Sequence, residues 1–177
     1  MHDEKLTIKV YLDTCILSNL RADKIKEEQL TSLDKICDHE NIVFVTSDKM
    51  LDEFLKTTED RIRITLKILY KLITKIPSKP FIRIEGGLRF PLKFPMSFGE
   101  QVEDGLFSSL KVIFPHKDDV EHIYQAAGGG CKYFMTLDED SILKKAKKFS
   151  TQLNKICPNL EFVDPVTLLD KLQKSPP

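Results

Sequence analysis

The sequence predicts an α/β fold: a mostly parallel sheet with helices over both faces. Short apolar segments, TIKVYL, IVFV, KYFMT and LEFV, read as strands, and helical patterns lie between them. Strands that alternate with helices pair in parallel and are covered on both sides. Two of these strands are followed by an aspartate, Asp13 after TIKVYL and Asp138 after KYFMT. In open α/β sheets, ligands bind outside the carboxyl ends of the strands.

The chain has 177 residues, which suits one well-buried domain spanning 1–177. Hydrophobic residues make up 41%, enough to build a core. Lys plus Arg and Asp plus Glu are 27 each, so global charge argues neither for nor against a nucleic-acid partner. Cys15, Cys37, Cys131 and Cys157 are widely spaced with no CxxC pair, which reads as reduced thiols rather than a zinc site. No segment approaches the roughly 18 apolar residues of a membrane span. The charged start MHDEKLT leads straight into a strand and is no signal peptide. The expectation is a cytoplasmic protein with no membrane attachment.

The elements follow in order. Thr7 to Leu12 alternates apolar and polar residues, although Lys9 fits poorly in a strand covered on both faces. A helical segment follows Asp13, and Lys24 to Asp38 forms a second helix with Ile25, Leu30, Leu33, Ile36 and Cys37 on one side. Ile42 to Val45 is a short apolar strand. Thr46, Ser47 and Asp48 supply N-cap chemistry for a helix holding Met50, Leu51, Phe54 and Leu55. Ile62 to Ile76 reads as an amphipathic helix.

The character changes at Pro77. Pro77, Pro80, Gly86, Gly87, Pro91, Pro95 and Gly99 mark the longest irregular stretch, read as an insertion at about 77–99 with a short strand near Phe81 to Ile84. A helix is expected from Glu100 to Val112. Another opens at His116 to Asp119, reaches Ala127 and ends at Gly128, Gly129 and Gly130. The strand Lys132 to Thr136 precedes Asp138 and a lysine-rich helix to about Phe149. After the last strand, Leu160 to Val163, Asp164 and Pro165 cap and begin the closing helix Val166 to Leu172.

A lone aspartate after a strand is ordinarily a cap or a turn residue. Two in equivalent positions ask more of chance. Asp119 lies in the first turn of its helix, where the dipole stabilises a carboxylate, and Asp118 competes with it there. The apolar stripe of the helix after Ser47 leaves Asp52 and Glu53 on opposite flanks, and periodicity does not choose between them. Clustered carboxylates repel one another and raise each other's pKa values, a penalty that a divalent cation removes. Hard oxygen donors select Mg²⁺ or Mn²⁺. Such a metal can activate water and neutralise charge on a phosphodiester.

The segments VYLDTCILSNL, TSDKMLDEFLK, DDVEHIYQAA and KYFMTLDEDSIL, in this order and spacing, resemble the PIN-domain family from the first strand to the last. The resemblance implies a three-layer α/β/α sandwich and a metal-dependent endoribonuclease. It implies that Asp13, Glu53, Asp119 and Asp138 are the acidic quartet, choosing Glu53 over Asp52 and Asp119 over Asp118. Thr136 would be the hydroxyl that supports the last aspartate or a nucleophilic water, with Asp140 an extra carboxylate. Many small members of the family are toxins of bacterial toxin–antitoxin pairs, so an antitoxin-like partner and a homodimer are further implications. This chain is longer than those toxins and carries the 77–99 stretch before its third acidic motif. Glu121, His122 and Tyr124 stand where small apolar residues are common in the family, and His122 reads as a histidine packed near the sheet.

A ribonuclease must also hold phosphates. Lys144, Lys145, Lys147 and Lys148 follow Asp138, while Lys79, Arg83, Arg89 and Lys93 are interleaved with Phe81, Phe90 and Phe94. Cations beside aromatics suit single-stranded RNA, and Arg83, Arg89, Lys93 and Lys144 are the candidate contacts. The ordinary alternatives are a solvated helix face and a small satellite core. Three other functions compete. A receiver-type phosphotransfer domain would place a lysine after the final strand, where this chain has FVDPVT, and its acidic pair directly after the first strand, whereas HDEK precedes it. A PIN fold without catalysis would serve as a binding or scaffold module. A structure-specific DNA nuclease would carry more acidic ligands and a helical clamp.

Overall fold

The computed structural model describes residues 7–56, 58, 73–76, 82–85 and 100–174. It is an α/β protein built on a five-stranded, all-parallel sheet, as the alternation of strands and helices predicts. The first half runs β1 (Ile8–Leu12), α1 (Thr14–Arg21), α2 (Glu27–Cys37), β2 (Ile42–Thr46), α3 (Asp48–Leu55) and β3 (Thr74–Lys75). Next come β4 (Ile82–Glu85), β5 (Glu100–Glu103), α4 (Gly105–Ile113), α5 (Lys117–Gly128) and β6 (Tyr133–Met135). The chain then forms a π-helical turn (Glu139–Leu143), α6 (Lys144–Lys148), α7 (Ser150–Ile156), β7 (Glu161–Val163) and α8 (Pro165–Lys174). The sheet order is β3-β2-β1-β6-β7, and β4 and β5 form a separate antiparallel pair.

Alternation along the strands sorts two cores. Val10 and Leu12 of β1, with Tyr133 and Met135 of β6, pack against Ile16, Leu33, Ile36 and Leu168 on one face. Tyr11 and Phe134 point the other way, into a core with Val45, Phe107, Leu110, Ile123 and Leu153. Tyr11 stacks on Phe134 with ring centroids 5.5 Å apart and an interplanar angle of 8°. Full burial of each such side chain stabilises the fold by about 1.5–3 kcal/mol. Lys9 is tolerated because it is exposed near the start of β1, with its Nζ 3.4 Å from the Gly129 carbonyl.

Two expectations are corrected and two refined. The helix expected from Ile62 to Ile76 does not include its last turn: Thr74–Lys75 is β3, and Ile76 N–H donates to Thr46 O at 2.9 Å. Ile76 precedes Pro77, whose ring disfavours helical backbone in the residue before it. Residues 62–72 of that helix lie outside the described residues. The helix expected from Glu100 is a strand to Glu103, because Asp104 is the N-cap and accepts from Leu106 N–H at 3.0 Å. The lysine-rich helix opens with the π-helical turn and ends at Phe149, beyond which the chain adds α7. The short strand near 81–84 is β4, displaced by one residue and paired with β5.

All four cysteines are free thiols. No helix among the described residues is long and apolar enough to cross a membrane.

Candidate active site

The same alternation that sorts the cores aims the polar residues beyond the strand ends. Tyr11, Val45 and Phe134 belong to the core on the α5 side. Two residues further along each strand stand Asp13, Ser47 and Thr136, which a period of two sends to that side. All three are buried. β1 and β6 are neighbours in register, with Leu12 opposite Met135, and Asp13 N–H donates to Met135 O at 3.1 Å. Asp13 and Thr136 are therefore adjacent.

Thr136 Oγ1 donates to Asp13 Oδ2 at 2.6 Å and accepts from Asp138 N–H at 3.0 Å. The Cys15 thiol also donates to Asp13 Oδ2, at 3.0 Å. Burial first, and the Asp13 charge second, push that thiol well above its ordinary pKa, so it stays protonated. Asp138 is half-buried and caps the π-helical turn, its Oδ1 accepting from Ser141 N–H at 2.7 Å.

α5 supplies the opposite wall. Asp118 is exposed, whereas Asp119 is half-buried. Asp119 Oδ2 is buried and meets no hydrogen-bond donor. Burial, then the charges of Asp13 and Asp138, push its carboxyl up to about 6. A buried acceptor without a donor costs about 1–3 kcal/mol, more if charged. Glu53 on α3 is half-buried and Asp52 exposed. Burial opposes the Glu53 charge, but hydrogen bonds from His122 and Thr14 and the charges of His122 and Lys56 outweigh it, holding the carboxyl below its ordinary range. Thr14 Oγ1 lies 3.4 Å from His122 Nε2, which sets the His122 and Glu53 pair beside the residue that follows Asp13.

His122 is packed as expected: its side chain is 3% exposed. It is also wired to the site. Nε2 lies 2.8 Å from Glu53 Oε1, and Nδ1 lies 2.8 Å from the Tyr11 hydroxyl, which shares a 2.7 Å hydrogen bond with Ser47 Oγ. Burial disfavours the imidazolium, but the Glu53 bond and the charges of Glu53, Asp13 and Asp119 raise its pKa. Sequence reasoning missed Tyr11, Cys15 and Ser47. The available signal was a histidine and a glutamate where α5 should be apolar.

α3 and α5 are tied together by more than Glu53. Lys49 pairs with the buried Glu121, which Lys117 approaches to 3.6 Å, and Lys56 lies 3.8 Å from Asp118. These residues line a cavity of about 340 Å³ with Asp52, Glu53 and His122. A larger groove of about 1050 Å³ runs past Leu137 and Asp164, with Lys24, Lys26, Lys144 and Lys147 on its walls. Lys144 is exposed there and engaged by Asp140 Oδ1 at 2.6 Å. Arg83 sits in β4 opposite Val102, while Arg89 and Lys93 lie outside the described residues.

Asp13 and Asp138 act electrostatically on Asp119, and Glu53 joins them through His122, yet among the described residues no three His, Cys, Asp or Glu side chains are grouped closely enough to hold a metal ion as they stand. One oxygen each of Asp13, Glu53 and Asp138 is engaged by a protein donor. Like charges also keep such groups apart. The donor set is still of the kind a hard cation takes, and the donor-less oxygen of Asp119 is the position that a cation would satisfy. No family model, no curated protein and no solved structure matches this chain.

Proposed function

We infer that this chain is a PIN-type, divalent-metal-dependent ribonuclease that hydrolyses RNA phosphodiester bonds at the Asp13, Glu53, Asp119 and Asp138 rim. One observation carries the reading: a buried, donor-less oxygen on Asp119 whose carboxyl is charged only against its burial and the repulsion of Asp13 and Asp138. Proteins rarely keep a buried acceptor unmatched without a use for it. Mg²⁺ or Mn²⁺ bound there would supply charge neutralisation at the phosphate and an activated water. Asp13 and Asp119, from β1 and α5, would hold the ion, with Asp138 and Glu53 at its flanks. Thr136, bonded to Asp13 and to the Asp138 backbone, fixes the spacing of the two aspartates. Lys144 and the other lysines of the adjacent groove offer phosphate contacts to a single strand.

The decisive assay compares the wild type with Asp13→Asn and Asp119→Asn on mixed single-stranded RNA with Mn²⁺. Cleavage by the wild type, lost with chelator and in both variants, is the expected result. Equal cleavage by all three proteins would be the mark of a contaminant and would end this assignment. A second reading, a PIN-like binding module without catalysis, is favoured by the spread of the carboxylates and the commitment of Glu53 to His122. It predicts normal folding with no Mn²⁺ binding in a calorimetric titration.

A further inference from the structure

A hydrogen-bonded chain runs from the sheet to the rim through four elements or their ends. Ser47 follows β2, Tyr11 is on β1, His122 is on α5 and Glu53 is on α3. Ser47, Tyr11 and His122 are each at most 3% exposed. The Glu53 carboxylate can only accept, so Nε2 of His122 carries the proton between them. In the neutral imidazole Nδ1 accepts from the Tyr11 hydroxyl, whose oxygen accepts from Ser47; in the imidazolium Nδ1 donates and both of these bonds reverse. In either form each polar atom named keeps its partner, and Nε2 keeps its bond to Glu53. The Tyr11 hydroxyl stays protonated, because burial raises its pKa.

Resting on the ribonuclease reading, we propose that Tyr11 and His122 are positioning residues: the Ser47, Tyr11 and His122 chain fixes the imidazole so that Glu53 is held by one oxygen at the rim. His122 acts through Glu53, and Tyr11 through His122. A buried tyrosine in the sheet core thus sets the affinity of the rim for its cation. Residues that orient a metal ligand in this way change metal affinity by about 10- to 100-fold when removed.

Two isosteric replacements separate this role from simple packing. His122→Gln places an amide where Nε2 stands and keeps a donor for Glu53. His122→Asn places one where Nδ1 stands and keeps only the Tyr11 contact. Tyr11→Phe and Ser47→Ala remove single hydroxyls and leave the Phe134 stack in place. Mn²⁺ affinity is measured by titration calorimetry on each protein, with a metal-free thermal melt to verify folding. His122→Asn, which loses the donor to Glu53, should weaken Mn²⁺ binding most, about tenfold or more; Tyr11→Phe and His122→Gln, which both lose the Tyr11 link but keep that donor, should weaken it less, and Ser47→Ala least. Equal affinity in all variants, or a loss in His122→Gln as large as in His122→Asn, overturns the positioning role while the metal site stands. Absence of Mn²⁺ binding by the wild type overturns both. Should the His122 variants fail to melt cooperatively, Tyr11→Phe and Ser47→Ala decide the matter: unchanged affinity in both refutes the chain.

Discussion

Asp119 has an unusual electrostatic position. Its proton is held more tightly in the folded chain, where the pKa rises from 3.8 to about 6, than in the unfolded one. Between those values the native state binds more protons than the unfolded state, so this group makes stability fall as pH rises from about 4 to about 6. Above that window the loss is complete and constant. Asp119→Asn carries no such proton. Urea unfolding of the two proteins at pH 4, 5, 6 and 7 should show the variant gaining on the wild type across the window, and Mn²⁺ should restore the wild type above it. Parallel stability curves would mean that the oxygen is not charged against its neighbours. Asp119 and Asp118 were equal candidates in the sequence from local physics alone, as were Glu53 and Asp52. Which of two adjacent residues turns inward depends on how α5 and α3 rotate against the sheet. That rotation is set by side chains such as Val120 and Ile123, which pack into the core with Tyr11 and Phe134, far away in sequence.

At the scale of elements, local signals succeeded where a single residue dictates backbone geometry. Gly130 is the example at the end of α5. It has φ of 69°, and a Cβ there would meet nothing within 4 Å. Strain is therefore the sole objection to a side chain. Gly130→Ala should cost about 1–2 kcal/mol, with Asn, which tolerates left-handed backbone, costing less. Urea midpoints would measure both, and an alanine variant as stable as the wild type would contradict the strain argument. Signals failed where a cap or a proline competed with periodicity. Asp104 fits the periodicity as an ordinary helical charge, yet its Oδ1 accepts from Leu106 N–H and starts the helix there. The segment before Pro77 carries helical periodicity, yet Ile73–Ile76 lies beside β2, with Thr74 and Lys75 paired as strand, because the sheet supplies partners that no local pattern records.

For the whole molecule, both cores share one sheet. Phe134 lies on the α5 side, 5.7 Å from Phe162 between ring centroids, and Leu33 packs on the opposite side. A sheet that carries both cores should unfold as one unit. Phe134→Ala is expected to cost about 3–5 kcal/mol and Leu33→Ala about 2–5 kcal/mol, each lowering the same single urea midpoint with an unchanged slope. Two separable transitions would show that the faces fold independently. The fold class was legible because apolar strands alternating with helices leave few alternatives. The placement of Asp13 and Asp138 just past the ends of β1 and β6 was legible. The Tyr11 and His122 wiring was not, since each looks like a core residue until the partner across the sheet is known.

The pairing of Leu12 with Met135 has an evolutionary consequence. Because Asp13 and Thr136 sit one step past that pair, the distance between them is set by the lattice of backbone amides rather than by any connecting loop. Insertions elsewhere, including at about 77–99, can lengthen the chain without stretching this interval. A one-residue slip of β6, in contrast, would shift one side by about 3.3 Å and turn its side chain to the opposite face. Lineages descended from such a sequence would be free to decorate its perimeter, but bound to conserve the alignment of its two central strands.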